Sequence, residues 1–527
     1  MYFTKTIIAF VSISILLHTG GCNTTTKTFI SDQSDTVIYE SEAYSIYSHS
    51  VVDSAYGGLA EPAFIPTSNA IYSPVRIVPK GKTTVLDTSK TWHPTFPRDH
   101  YPYLRTHHPS IDATYNLALD VLYRCHSGEF VRNTGEEGLW QAGFRQGEGY
   151  GVWIRDVAYV SLLMGSFLEP EVAQKSIEYT TNHGIDNGED GLALPAIAAW
   201  NHFLVTGDSS ILKRNYERLK LKVSQILFDS ARNLGFAHSG SFIDSRKQPE
   251  AGGFPLSTNI VYMMAYDAMY EIGKVIGEPN ERTLHQWKTR TEVMLETIRK
   301  EYFNSESGYF TFGPKGSESY TNHHWENLGV SLAIWPQLGI ASNKQRLSVL
   351  KKSDIAYSPY GFCDLNYLNV PGDNGLHGQQ VWPFTEVGIM AALAKEKKID
   401  HVLELLASVV RSAAIHKTFY ECIDWNTGKA WRYPGQLWHA SAFISMIHFG
   451  ILGMEYDASG ITFPNACVPE ALSNLTIESF SYRNADLTIL VSGWGIYDGM
   501  ELDGQSVTIV PTDLKGEHQL IIHLKEP

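Results

Sequence analysis

The stretch GSFIDSRKQPEAGGFPLSTNIVYMMAYDAMY, residues 240–270, passes from a short apolar run through a loop into a helix. The apolar run delivers a single carboxylate, Asp244, and the loop behind it is rich in Gly and Pro. Residues 257–259, Ser-Thr-Asn, are good capping residues ahead of an apolar-rich segment, which predicts a helix over 257–277. A carboxylate on a loop at the start of a helix lies where a rigid scaffold can present it to a ligand. Asp244 is therefore a candidate catalytic acid.

Helical periodicity with suitable capping residues recurs on both sides of this stretch. Besides 257–277, it predicts helices at 110–126, 153–166, 170–184, 192–206, 209–231, 281–303, 323–337, 342–352, 377–396, 398–415 and 436–453. About twelve helices, joined by alternating short turns and long loops, make six hairpins, which is the number in an (α/α)6 toroid. In that architecture an inner ring of helices forms a funnel, and the long loops wall its mouth. We therefore predict a mainly α fold, an (α/α)6 toroid of six helical hairpins, over residues 110–455.

The segments that flank the helices have strand-like patterns. Residues 37–109 are β-prone and interrupted by Pro, which predicts an irregular N-terminal segment with a few strands. After Met454 the pattern alternates between apolar and polar residues, and we expect a small antiparallel β module over 456–527 that packs on the toroid. Its predicted strands are 475–480, 486–491, 506–510 and 518–524.

The N-terminus has the pattern of a targeting segment. Lys5 precedes an apolar run, 7–17, that is too short to span a membrane and resembles the core of a signal peptide. Small residues lead directly into Cys22, as at a bacterial lipoprotein cleavage site. We predict a signal peptide over 1–22, lipidation of Cys22 and a flexible tether over 23–36, and hence export to the periplasm or lipid anchoring at the outer membrane of a bacterium. The alternative is simple secretion with Cys22 incidental.

Composition narrows the function classes. The 527 residues are 43% hydrophobic and 19% charged, as in a folded globular protein. A net charge of −14 with no basic run argues against nucleic acid and against acidic surfaces as partners. Aromatic residues make up 12%, which fits either a large core or a site where sugar rings stack. The cysteines after Cys22 lack metal-binding spacing and are expected to be buried free thiols. We predict no cofactor. The scattered loops with Asp and Asn could bind a structural calcium, but they show no recognisable ligand spacing.

Two stretches at predicted helix starts carry polar and aromatic side chains suited to sugars. Trp153, Arg155 and Asp156 supply a stacking face, a fixed guanidinium and a carboxylate that can accept from sugar hydroxyls. The alternative is an Arg155–Asp156 pair that only caps the helix. Trp200 and Asn201 follow a polar loop, and Trp200 is as well explained by core packing.

Three later stretches also fall at loop–helix junctions. His323 and His324 precede Trp325 and Glu326; adjacent His residues point to different helix faces, which argues against a shared metal and favours a polar funnel lining. The other two stretches contain Gln380, Trp382 and Glu386, then Glu421, and then Trp438 and His439.

The order of these stretches resembles the six-hairpin glycosidases: the glycogen-debranching glucosidase domain, glycoside hydrolase family 63 and the mannosylglycerate hydrolases. In those families a W-x-R-D stretch lines the subsite of the sugar that is cleaved, and a loop like T-W-M-D before an Asn-bearing helix carries the general acid. The resemblance thus implies that Asp244 is the general acid and Glu421, ahead of D-x-x-T-G, the general base. The substrate-binding residues it leads us to expect are Trp153, Arg155, Asp156, Trp200, Asn201, Asn259, His324, Trp325, Glu326, Gln380, Trp382, Glu386, Trp438 and His439.

The sequence departs from the family pattern at two places. Phe242-Ile243 stands where Trp-Met is usual, and His439 replaces Ser or Thr, so the identity of the cleaved sugar stays open. Glu326 and Glu386 remain rival bases to Glu421.

The resemblance implies an exo-acting hydrolase of oligosaccharides or polysaccharides, with α-linked glucosides or mannosides as the leading substrates. Two carboxylates on separate loops across a funnel suit inversion, which needs them about 6.5–9.5 Å apart, against about 5–5.5 Å for a retaining enzyme. Three rivals stay open: a polysaccharide lyase that uses His323-His324, a phosphorylase and a non-catalytic glycan-binding lipoprotein. A phosphorylase would need a basic phosphate pocket, and no clustered Lys or Arg lies near Glu421 beyond Arg432. The sequence gives no indication of oligomeric state.

Overall fold

The computed structural model describes residues 36–53, 76–79, 101–145, 148–185, 188–238, 251–366 and 378–527. Outside these ranges lie the predicted acid Asp244, the predicted lipidation site Cys22, the predicted signal peptide and all but the last residue of the predicted tether.

The body of the described chain is built from long helices. Twelve of these helices are labelled here in chain order: α1 Pro109–Ser127, α2 Ile154–Val160, α3 Pro170–Asn182, α4 Leu194–Thr206, α5 Ser210–Ser224, α6 Leu256–Ile276, α7 Glu281–Thr297, α8 Asn327–Ile334, α9 Asn343–Lys352, α10 Val387–Lys395, α11 Ile399–His416 and α12 Leu437–Ser445. Short π-helical segments, Ser161–Gly165, Ile298–Tyr302 and Met446–Ile451, extend α2, α7 and α12. Single-turn and 3₁₀ helices are Glu129–Thr134, Ser166–Leu168, Glu189–Leu192, Glu318–Thr321, Pro336–Leu338, Ser353–Ile355, Pro383–Glu386 and Glu470–Leu472.

Contacts between the helices follow an alternating order. The even-numbered helices contact one another in succession from α2 to α10, α10 contacts the π extension of α12, and α12 returns to α2. The odd-numbered helices pack outside them: α1 on α12, α3 on α4, α5 on α4 and α6, α7 on α6, α9 on α8 and α10, and α11 on α10. This pattern is consistent with the predicted helical toroid.

Sequence composition explains which helices lie inside. All residues of α8 (NLGVSLAI) and α12 (LWHASAFIS) are buried, and a helix that is apolar all round must be covered on every side. In contrast, α7 buries only Trp287 and Met294 and turns its charged residues to solvent. The extent of burial of these three helices therefore follows from the width of their apolar faces.

Two predicted helices differ from the structure by seven or more residues at one end, and the helix predicted over 323–337 spans only Asn327–Ile334. The helix predicted over 377–396 begins only at Val387, because Gln380–Val381 pairs as a strand with Cys422–Asp424 and Pro383 starts a 3₁₀ turn. The helix predicted over 209–231 ends at Ser224 and is followed by the hairpin Leu227–Asp229/Leu234–Phe236. In both places strand pairing supplied the backbone partners that a longer helix would otherwise have provided.

The N-terminal segment forms a four-stranded sheet in the order Val37–Glu40, Tyr44–Tyr47, Ser50–Asp53, Arg76–Pro79. Its first three strands contact α11. At that contact the buried Asp53 forms an ion pair with Arg411, at 2.5 Å from Oδ2 to Nε. Arg411 also donates from Nη1 to the carbonyl of Gly428 at 2.7 Å, so the N-terminal sheet, α11 and the loop after Glu421 are joined at one point.

The C-terminal β module is only partly antiparallel, which corrects the prediction. Asn484–Ser492 pairs parallel with Lys515–Lys525, which inserts between two strands that are neighbours in sequence. Alternation of apolar and polar residues predicts strands but not their partners, since either direction exposes the same alternate faces. The main sheet runs in the order Cys467–Val468, Gly495–Leu502, Lys515–Lys525, Asn484–Ser492, Thr476–Tyr482, Tyr103–Arg105, with Gln505–Val507 beside Gly495–Leu502.

The remaining strands form small sheets and hairpins at loops. They are Phe144–Arg145 with Glu148–Gly149, Phe303–Asn304 with Tyr309–Phe310, Tyr357–Ser358 with Gly361–Phe362, Gln380–Val381 with Cys422–Asp424 and Ala430–Trp431, and Glu455–Asp457 with Gly460–Thr462 and Val510–Pro511.

The four cysteines of the described chain, Cys125, Cys363, Cys422 and Cys467, are buried free thiols, as expected. Within the same ranges, every helix is too short or too polar to cross a bilayer.

Candidate active site

Several sequence motifs lie at the starts of even-numbered helices. Trp153 immediately precedes α2, Glu326 precedes α8, and Glu386 ends the 3₁₀ turn that leads into α10. Glu421 precedes the strand Cys422–Asp424, which pairs with Gln380–Val381 just before that turn. The structure therefore groups most of the motifs at helix starts, while Asp244 falls in the undescribed segment 239–250.

Glu421 is held by the main chain of its surroundings. Its N–H donates to the carbonyl of Tyr433 at 2.9 Å, and its carbonyl lies 2.9 Å from Nε2 of His439. Its carboxylate lies 3.0 Å from Nε of Arg432 and is 6% exposed. Burial raises the pKa of Glu421 to about 7, and Arg432 opposes that shift. The carboxyl can therefore exchange a proton with water near neutral pH.

Asp156 lies in the first turn of α2 and within the electrostatic field of Glu421. Burial raises the pKa of Asp156 to about 7; Arg155 opposes the shift and Glu421 adds to it. An ionised Glu421 thus favours the protonated form of Asp156, which can both donate and accept hydrogen bonds. That is a suitable group to face sugar hydroxyls.

Arg155 is fixed by a partner that the sequence did not single out. It donates from Nε and Nη2 to the two oxygens of Asp190, at 2.8 and 2.7 Å. Both side chains are buried, so this bidentate pair locks the guanidinium in place. The partner comes from the Asp190-Gly191 loop, and the simple Arg155–Asp156 cap considered from sequence is not what positions Arg155.

An aromatic wall lies beside these carboxyls. The rings of Tyr150 and Tyr433 are 4.6 Å apart, and Trp153 lies 5.8 Å from Tyr150 and donates from Nε1 to its carbonyl. Tyr150 is also within the field of Glu421 and Asp156, which raises its pKa together with burial. Tyr150 and Tyr433 were not among the predicted site residues, although Tyr150 lies three residues before Trp153 and Tyr433 directly follows Arg432.

The two rival carboxyls are sealed from solvent. Glu326 accepts from the N–H of Ser257 at 3.2 Å, and Glu386 accepts from the N–H of Phe362 at 2.6 Å. Both residues are 0% exposed, and within the described chain the other carboxyl oxygen of each has no hydrogen-bond partner. Burial raises the pKa of each to about 8, which favours the neutral acid at pH 7. The Glu421 side chain, although buried, is 6% exposed and so keeps a small contact with solvent that the other two lack.

The polar side-chain atoms of three predicted substrate-binding residues form hydrogen bonds within the protein. Asn259 accepts from the N–H of Gly235 at 2.8 Å and donates to two carbonyls. Asn201 accepts from the hydroxyl of Tyr456 at 2.5 Å and donates to the carbonyl of Ser161. His439, besides its contact with Glu421, accepts at Nδ1 from the N–H of Phe384 at 3.3 Å. A substrate contact by these groups would have to displace bonds that hold the fold.

The other predicted residues are aromatic or amide side chains packed near the helix starts. Trp438 stacks on Phe384, with ring centroids 4.2 Å apart and planes at 6°, and Trp382 meets Trp438 edge-on at 5.6 Å. Gln380 accepts from the indole of Trp431 at 2.6 Å.

Trp325 and Trp200 pack mainly as apolar side chains. Trp325 is fully buried and its indole donates to Asn327 at 3.2 Å. Trp200 packs against Phe203 on α4. His324 is half-buried, and its main-chain carbonyl accepts a hydrogen bond from the N–H of Phe312. The described residues contain no cluster of three or more His, Cys, Asp or Glu side chains that could bind a metal ion.

Comparison with known proteins gives one family match. A family model described as the bacterial alpha-L-rhamnosidase six-hairpin glycosidase domain matches residues 186–347. No curated protein matches the sequence.

Solved structures with the same fold are more numerous. A sialidase matches with a TM-score of 0.58, covering 78% of this chain and 40% of its own; a family GH78 rhamnosidase of Bacillus sp. GL1 scores 0.52 and covers 82% and 44%. A bacterial glucoamylase complexed with acarbose scores 0.50 and covers 66% and 56%. Each is 13% identical to this chain, so the likeness is one of fold. The chain spans less than two thirds of the length of each of these structures.

Proposed function

We propose that this chain, a member of the six-hairpin glycosidase superfamily, is a glycoside hydrolase that inverts the anomeric configuration of its substrate. The matched glycosidase domain supports the reaction class. The observation that carries the proposal is the group formed by Glu421, Asp156 and Arg432 beside the aromatic wall of Tyr150, Trp153 and Tyr433. Carboxyls that titrate near neutral pH beside stacking rings are what acetal cleavage of a sugar requires.

In the proposed mechanism Asp244 is the general acid. It donates its proton to the glycosidic oxygen as the bond from that oxygen to the anomeric carbon breaks. Glu421, as general base, takes a proton from a water whose oxygen attacks the anomeric carbon from the opposite face. Glu421 suits this role better than Glu326 or Glu386, because a base that activates water must reach water and those two carboxyls are sealed.

Substrate binding is proposed at the same group of residues. A protonated Asp156 would bridge two sugar hydroxyls, and Trp153 and Tyr150 would contact the flat face of the ring. The motif resemblance favours an α-linked glucoside or mannoside, the matched family adds α-L-rhamnosides, and exo action on a chain end fits a site at the mouth of a funnel.

The decisive experiment is a panel of α-glucosides, α-mannosides and α-L-rhamnosides, followed by proton NMR of the newly released anomer. Asp244→Asn and Glu421→Gln are expected to lower turnover by orders of magnitude, with Glu386→Gln as the matched control that keeps it. A retained anomer would contradict inversion, and near-wild-type rates in both variants would remove the assignment. Absorbance of an unsaturated product would instead support a lyase.

Export, anchoring and cofactor independence are proposals as well. Two carboxyls and a water suffice for the reaction, so dialysis against a chelator should leave the rate unchanged. If Cys22 carries a lipid, Cys22→Ala should move the protein from the membrane fraction to the soluble fraction of the cell envelope.

A further inference from the structure

Arg432 stands opposite Glu421 because of a β-hairpin register. Cys422 pairs with Trp431 in the antiparallel hairpin formed by Cys422–Asp424 and Ala430–Trp431. Glu421 and Arg432 are the next residues outward on each arm, and the N–H of Glu421 continues the pairing to the carbonyl of Tyr433. The ion pair is therefore built into the main-chain hydrogen bonding of the hairpin.

The backbone of Arg432 adopts an unfavourable conformation to reach this place. Its φ is 74°, in the left-handed region that side-chain-bearing residues rarely adopt. Such strain persists only where the surrounding structure enforces it, and it concentrates at functional sites. The guanidinium also lies 5.5 Å from the centre of the Tyr433 ring, which fixes it over one face of the aromatic wall.

Burial opposes the ionisation of the Glu421 carboxyl. The titratable groups around it are Asp156 on α2, Tyr150 in the preceding loop and the buried thiol of Cys422, and burial raises the pKa of each. His439 contacts only its main-chain carbonyl from α12. Arg432 is the cation that offsets burial at this carboxyl, whose pKa lies at about 7 with that help.

We propose that Arg432 is a positioning residue that keeps Glu421 ionised and aimed, so that Glu421 can act as a base at neutral pH. This inference rests on the function proposed above. An opposite charge within hydrogen-bonding distance shifts a carboxyl by about one to three pH units. Without Arg432, Glu421 would be protonated at pH 7 and unable to accept a proton from water.

The test compares Arg432→Met, which keeps length and removes charge, with Arg432→Lys, which keeps charge and loses the planar Nε contact. Arg214→Met, at an exposed ion pair with Glu178, is the control for charge removal elsewhere. In Arg432→Met the acidic limb of kcat/KM should move up by about one to three pH units, so the rate at pH 7 falls about fivefold or more and the loss becomes smaller as the pH rises. Arg432→Lys should shift the limb less, and Arg214→Met should leave it in place. An equal loss at every pH would mean a purely structural role and overturn the proposal.

A second readout does not depend on activity. In protein labelled with ¹³C at the glutamate side-chain carboxyl, the Glu421 signal is assigned by its loss in Glu421→Gln. Its titration midpoint should rise in Arg432→Met, and an unchanged midpoint would overturn the inference even if the enzyme hydrolyses sugars. Conversely, full activity in Glu421→Gln would remove the assigned base while the titration still reports on Arg432.

Discussion

Replacing Asp53 with Asn should destabilise the fold, because it leaves the guanidinium of Arg411 buried without its counter-ion. Asp53 is 0% exposed and Arg411 is 1% exposed at the side chain, and they meet through both guanidinium Nε and Nη2. Among the described residues, Arg411 also contacts the carbonyl of Gly428, the face of Tyr360 at 4.7 Å and the ring of Tyr44 at 6.0 Å. None of these contacts carries a full negative charge, so they would not compensate the positive charge.

The expected loss is about 3–5 kcal/mol, the usual cost of removing one partner from a buried ion pair. The lower end is favoured because the amide introduced by Asp53→Asn keeps one oxygen that accepts a hydrogen bond from Arg411. Removing both charges in Asp53→Leu/Arg411→Met should cost much less, since no buried charge is then left alone. The matched control is Glu478→Gln, which breaks an exposed Arg105–Glu478 pair of 2.7 Å and should cost about 0–1 kcal/mol.

Urea unfolding followed by tryptophan fluorescence measures these differences. The chain has 12 Trp to report on unfolding, and the midpoint and slope together test whether the transition stays cooperative. If Asp53→Asn and Glu478→Gln lower the free energy of unfolding equally, within about 0.5 kcal/mol, then burial does not determine how much these ion pairs contribute to stability. The double variant being as unstable as Asp53→Asn would refute the same reasoning.

Three further predictions concern other parts of the molecule. Gly435→Ala should destabilise the fold by about 1–3 kcal/mol in chemical unfolding, because its φ is 65° and an added Cβ would lie 2.1 Å from Phe144. The control Gly504→Ala, with φ 76° and open space around the added Cβ, measures the cost of the backbone conformation alone. Equal losses of stability in the two variants would argue against a clash with Phe144. The pKa of Glu386 is about 8 in the folded state and 4.5 ordinarily, so the wild type loses stability as the pH rises between these values. Glu386→Gln lacks this loss, and its free energy of unfolding should gain on that of the wild type by up to about 1.4 kcal/mol per pH unit from pH 4.5 to 8. Parallel curves of unfolding free energy against pH would contradict this prediction. The acidic limb of kcat/KM should lie near pH 7, because Glu421 must be ionised to act as a base and its pKa is about 7, whereas a flat profile from pH 5 to 7 would exclude it.

The helices could be predicted because their signal is local. Apolar spacing and capping residues placed α1, α3, α6 and α11 within one or two residues of their observed ends. The start of α10 could not be found this way, since the segment before it is held by the strand of Cys422–Asp424, which lies more than 35 residues away. The parallel strand pair of the C-terminal module escaped prediction for the same reason: pairing partners are chosen by the whole sheet.

The candidate site divides in a similar way. Glu421, Asp156 and Trp153 were identified from motifs, and the structure brings Asp156 within the field of Glu421. The sequence did not identify Asp190 as the partner of Arg155, nor Tyr150 as a neighbour of Tyr433. An ion pair or a ring contact between loops produces no periodic pattern in the sequence. Asn259 and His439 stood in matching motifs, yet their polar atoms bond to the main chain, and a motif cannot tell these two uses apart.

By itself, then, the sequence determined the type and order of the helices and the carboxyl groups that are candidates for acid–base chemistry, since both depend on residue identity and near-neighbour spacing. Only the tertiary structure decided which carboxyls reach water, which are sealed as neutral acids, and that Arg432 faces Glu421. Exposure and ionisation depend on the dielectric and charges that distant segments place around a group, and those are fixed when the chain folds.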